Sequence, residues 1–146
     1  MSKTIQSPIK RWSGSVVIAD PLTIPQPQLI EAGMTPEPEP EALTQAREKY
    51  KDLLDRLGGE DKETEAARIE FSNQLEKNRV WSSVLDAKRI PAIVACVEKW
   101  ELQKFPEKVT AQNFPASPRK DSHLLVEWLF KELLDVYSGE KEIPNE

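Results

Sequence analysis

Between residues 124 and 137, the apolar pairs Leu124-Leu125, Trp128-Leu129, Leu133-Leu134 and Val136-Tyr137 recur at helical spacing and cover more than one side of the helix they imply. Phe130 widens that surface further. A solvated helix carries one apolar stripe, so a helix with two has to lie at the centre of a fold or lend a face to another chain. The chain around it is polar, with 38 % hydrophobic residues and 31 % charged ones in 146. The expected fold class is mainly α: a small helical domain with a short extended N-terminal arm and a Pro-Glu linker.

Reading toward the N-terminus from that helix, the boundary signals come from proline, glycine and short polar residues. The helix starts near Ser117 or Asp121, with Pro118 just after a Ser cap, and Gly139 ends it. A Pro-rich hinge from Lys104-Phe105-Pro106 to Phe114-Pro115 precedes it. Before the hinge, Ile93-Val94, Val97 and Trp100-Glu101-Leu102 form a helical stripe, which Ile90-Pro91 separates by a break or bend from a shorter helix holding Val80-Trp81 and Val84-Leu85. Residues 79–146 thus read as a C-terminal helical module. Residues 42–78 read as a helical hairpin: Leu43, Ala46, Tyr50, Leu53-Leu54 and Leu57 run up to a stop at Gly58-Gly59. Its second helix begins near Asp61 or Thr64, with Ala66-Ala67, Phe71 and Leu75 inward. Residues 34–41 alternate Pro with Glu, a pattern that favours polyproline II and self-repulsion, hence a solvated linker.

Residues 1–33 are read as an arm and a short helix. Ser15 to Ala19 is β-branched and follows Gly14, while Asp20-Pro21 ends it, because the residue before proline is pushed away from helix. No second strand is evident, so the arm is expected to complete its hydrogen bonds outside its own fold. Thr23 is placed to cap a short helix that stops at Gly33, with Pro27 late enough to weaken it.

Charge and rare residues exclude several functions. The net charge is −5, and residues 31–78 hold thirteen acids against seven bases, so no basic face offers phosphate-driven nucleic-acid binding. The N-terminus lacks a signal-peptide core, and the uncharged run from Ile90 to Val97 is too short to cross a bilayer; a cytoplasmic protein without membrane contact is expected. The only histidine, His123, reads as a surface or capping residue, and the only cysteine, Cys96, as a small buried hydrophobe. There is no catalytic, metal or cofactor-binding set, no Walker loop and no dinucleotide fingerprint, so a non-enzyme is expected. Four tryptophans in so polar a chain either anchor a small core or, for Trp12 and one helical indole, face a partner.

Ile9-Lys10-Arg11-Trp12-Ser13-Gly14-Ser15-Val16 followed by Asp20-Pro21-Leu22-Thr23-Ile24-Pro25-Gln26 resembles the start of small tail-assembly chaperones of long-tailed bacteriophages. Pro91 to Trp100, Phe114 to Arg119 and the close Ile143-Pro144-Asn145-Glu146 are similar as well. The stretches these blocks mark off, residues 9–26 and 91–146, make up a little over half the chain, while the Pro-Glu linker and Glu41 to Lys77 lie outside the likeness and read as an insertion. The resemblance implies a helical, non-enzymatic factor that coats the tape-measure protein, helps recruit tail-tube subunits, self-associates, and is absent from the mature virion. The partner contacts expected under it are Trp12, Val16, Val17 and Ile18 in the arm, and Trp128, Phe130 and Leu134 on the last helix. A structural virion component, such as a head–tail connector or tail-completion subunit, and a host regulatory adaptor remain the alternatives.

Overall fold

The computed structural model describes residues 2–34, 38–116 and 118–141, apart from the side chains of residues 140 and 141. The linker residues 35–37, the expected Ser117 cap and the block 143–146 lie outside the described residues. The described chain is mainly α, with five α-helices and one three-stranded sheet. It divides into two units. One is made of the N-terminal residues through the first α-helix together with those from Leu85 onward; the other is the stretch between them, up to Val84.

In the first unit, β1 (Ser2–Gln6), β2 (Gly14–Ala19) and β3 (Val97–Leu102) form an antiparallel sheet with β2 in the middle. This corrects the expectation of an arm that pairs elsewhere. β2 is satisfied on both sides within the chain, with Ile5 opposite Val16 and Val16 opposite Trp100. It also corrects the helix expected through Leu102. The helix stops at Cys96 and the chain becomes a strand, because the residues after Val97 alternate and can pair with β2. The register slips between Val17 and Ile18, leaving Glu98 as the extra residue of a bulge in β3. Gly14 opens β2 at φ +131°, and a Cβ there would lie 2.0 Å from the Glu101 carbonyl oxygen, so only glycine lets β3 approach.

Helix α1 (Gln26–Gly33) follows β2 after two cis X-Pro bonds, at Asp20-Pro21 and Ile24-Pro25. Thr23 does not cap it through its side chain; instead its N–H donates to Gln26 Oε1 at 2.8 Å. Because the helix begins at Gln26, Pro27 falls in the first turn, where a missing N–H costs nothing. The long two-sided helix, α5 (Arg119–Lys141), is central as its pattern requires: Leu125, Val126, Leu129 and Leu133 are fully buried. Gly139 lies inside it and does not end it. Lys3 of β1 pairs with Glu132 of α5 at 3.0 Å, and Tyr137 of α5 hydrogen-bonds to Glu31 of α1.

Helix α4 (Arg79–Cys96) runs through Pro91 without the expected break. Ala92, Ile93 and Cys96, fully buried just beyond the proline, hold the second half in the core, and this packing outweighs the backbone bond that proline removes. The division between the two units falls within α4.

The second unit holds α2 (Glu41–Leu57) and α3 (Lys62–Lys77), which pack together with Leu43, Phe71 and Leu75 sealed between them. The Tyr50 and Phe71 rings meet at 5.9 Å. Gly58 ends α2 at φ +80°, a left-handed C-cap whose N–H donates to the Leu54 carbonyl at 3.0 Å. The described end of the linker is not a free spacer. Glu39 folds onto α2, accepting from Arg47 Nη2 at 2.7 Å and from the Thr44 hydroxyl at 2.5 Å.

Asp61 caps α3 by accepting the Thr64 hydroxyl at 2.5 Å and the Thr64 N–H at 3.0 Å. The Thr64 hydroxyl, then its N–H, hold the Asp61 carboxyl below its ordinary value of 3.8. A lowered folded value means the charged cap adds stability that is complete above the unfolded value and is lost as pH falls through the folded one. Helicity of the hairpin should therefore decline in that acid window. In Asp61→Asn, which cannot ionise, circular dichroism is expected to show this part of the acid loss gone.

Candidate interaction surface

The expected partner contacts all lie in the first unit, and most face inward. Trp12 is 4 % exposed, and Val16, Ile18 and Phe130 are buried as well. The sheet and α5 cover these side chains. Val16 and Ile18 lie on the inner face of the central strand, and Phe130 closes over Gly33 with the Arg89 guanidinium 4.5 Å from its ring centre. Val17, Trp128 and Leu134 are half-buried. Trp12 and Val16 to Ile18 come together around β2, whereas Trp128 and Phe130, two residues apart, point about 200° away from each other around α5.

The aromatic rings form a cluster of their own. Phe105 stacks on Trp100 at 5.0 Å and meets Trp12 edge-on at 5.7 Å, while Phe114 meets Trp100 at 6.2 Å and Phe105 at 6.3 Å. Each ring fills the space beside the next, so the cluster fastens both ends of the Pro-rich segment onto the sheet rather than leaving a cage for a ligand. Between those anchors, the Asn113 amide accepts from the Thr110 N–H at 2.7 Å and donates to the Lys108 carbonyl at 2.5 Å.

His123 is not a surface residue, which corrects the sequence expectation. It is 3 % exposed, and its Nδ1 lies 3.2 Å from Asp86 Oδ2, tying α5 to α4 within the first unit. His123 and Glu127, one turn apart on α5, have ligand-type atoms within 4.8 Å of each other, a pair rather than a full coordination set in this unit. Cys96 is fully buried, and loss of hydration pushes its thiol up to about 11. It should therefore resist iodoacetamide in the native protein at neutral pH and be modified at the rate of a free thiol after denaturation, with mass spectrometry as the readout.

Four of the six large apolar side chains left exposed among the described residues, which the sequence reading missed, lie in the second unit. Val80 is 80 % exposed, Val84 51 % and Ile69 47 %, and Leu57 at the end of α2 is open too. Val80 and Val84, four residues apart, share one face of α4, while Ser82 and Leu85 face inward. The signal was present in the spacing: of the pairs Val80-Trp81 and Val84-Leu85, only one member each can follow the buried stripe. Arg79 and Glu76 form an exposed ion pair beside Val80 at 3.6 Å. The residues from 36 to 84 carry twelve acids and eight bases, so most of the chain's negative charge is here. Among the described residues, no helix is long and apolar enough to cross a membrane.

No family model, curated protein or solved structure matches this chain.

Proposed function

We propose that this chain is a non-catalytic binding protein of the phage tail-assembly chaperone kind, which keeps the tape-measure protein soluble and helps bring tail-tube subunits to it. The observation that carries the reading is the exposure of Ile69, Val80 and Val84 on an acidic helical unit. A long helix with unburied apolar stripes is insoluble until something covers them, and helix-on-helix contacts of this type do so reversibly. The acidic excess keeps the loaded complex in solution. The sequence blocks from Ile9 to Gln26 and from Pro91 to Trp100 supply the likeness to that family. Under this reading the protein self-associates, works in the cytoplasm of a bacterial host, and is left out of the finished virion.

Co-expression with a tape-measure fragment is the test. The soluble share of that fragment is expected to rise with the wild-type chain and to fall back with Val80→Asp plus Val84→Asp, exposed changes that leave the fold intact. An unchanged soluble share with the wild-type chain overturns the proposal. Abundant copies in purified virions would point instead to a structural component.

A further inference from the structure

The chain leaves the first unit at the end of α1 and returns to it in α4, and these two places touch. The Arg89 Nε–H donates to the Gly33 carbonyl at 3.3 Å, and a Cβ on Gly33 would lie 3.4 Å from the Arg89 Cα. Leu85, where the first unit resumes, is only one helical turn before Arg89. A few residues of extended chain, at about 3.5 Å each, span that gap.

Several ties that close the first unit run between its own two segments. The pairing of β2 with β3 joins residues from both sides of the excursion, at Ile18 opposite Val97 and Gly14 opposite Leu102. Ile30, Ile93, Leu125, Val126, Leu129 and Leu133 are fully buried and all belong to this unit. The Asp86–His123 pair and the Arg89–Phe130 contact stay within it too. Without the excursion the unit keeps roughly 100 residues, an ordinary domain size. The intervening stretch differs in character: it carries Leu57, Ile69, Val80 and Val84, most of the large exposed apolar side chains among the described residues, and most of the net charge.

We infer that the first unit is a self-sufficient fold and that the helices between Gly33 and Leu85 are an inserted accessory module, whose folding and surface are separable from it. This inference stands apart from the proposed function, since it concerns which part of the chain needs which.

Two experiments test it. In the first, residues 35–84 are replaced by a short or a longer Gly/Ser linker. At least one of these chains is expected to unfold cooperatively in urea, to keep the near-ultraviolet circular dichroism of Trp12 and Trp100, and to keep Cys96 closed to iodoacetamide. In the second, Phe71→Asp opens the hairpin core in the full-length chain. Helical signal should be lost while the β2–β3 amides and Cys96 stay protected, as read by hydrogen exchange and mass spectrometry. If both linkers give chains with reactive Cys96, or if Phe71→Asp abolishes amide protection in the sheet, the two parts fold as one and the inference is overturned.

Discussion

Replacing Gly14 with alanine is expected to destabilise the first unit more than any other single-methyl change in the chain. Two costs add. The backbone at φ +131° is one that L side chains avoid, a strain of order 1–3 kcal/mol. The new Cβ also falls 2.0 Å from the Glu101 carbonyl oxygen, backbone that no rotamer change can move, so β3 must shift away at a further ~1–3 kcal/mol. Together they approach the whole stability of a marginal domain, about 5–15 kcal/mol. Urea unfolding followed by tryptophan fluorescence will read the loss, because Trp12 and Trp100 lie beside the strands concerned. Gly58→Ala is the comparison. Its φ of +80° is also left-handed, but nothing lies within 4 Å of the added carbon, so a cost of only about 1 kcal/mol is expected. Equal effects at the two glycines would contradict the close approach of β3 to β2.

Phe130→Ala should cost about 3–5 kcal/mol, the range for removing a sealed aromatic side chain. The ring is 1 % exposed, and it spans α1, α4 and α5 by covering Gly33 and carrying the Arg89 guanidinium. Its loss leaves a cavity at the junction of three helices and strands a charge beside it. Val80→Asp gives the contrast: a residue 80 % exposed should change stability by no more than about 0.5 kcal/mol. A chemical denaturation midpoint for each variant separates the two. A neutral Phe130→Ala would return that residue to the partner-facing role its position on a two-sided helix first implied.

These residues also mark where reading along the chain works and where it fails. The α2–α3 hairpin was legible because every signal for it is local: a stripe at three- and four-residue spacing, Gly58 as the stop, and Asp61 as the start. Cys96 was legible from its apolar neighbours. β3 was not, because Ile93, Val94, Val97 and Trp100 fit a helical period as well as Trp100 and Leu102, two apart, fit a strand, and only the β2 backbone, far away in sequence, decides between them. β1 was hidden for the same reason. Ser2 to Gln6 holds a single large apolar residue, Ile5, and is a strand because β2 offers it a ladder. The exposed face of α4 is masked in the sequence because Val80 and Val84 each stand beside a more buried apolar neighbour, Trp81 and Leu85.

Local chemistry along the chain determined the mainly helical class, the hairpin with its glycine stop, and the need for the Leu124–Tyr137 helix to be covered on two sides, since capping, turn formation and amphipathic period act over a few residues. Tertiary structure alone decided that the N-terminal segment is the middle and one edge of a sheet, that His123 meets Asp86, and that Trp12 and Phe130 turn inward while Val80 and Val84 turn out. Those outcomes depend on which distant backbone and side-chain groups can satisfy one another out of water, a condition met only once both ends of the chain are in place.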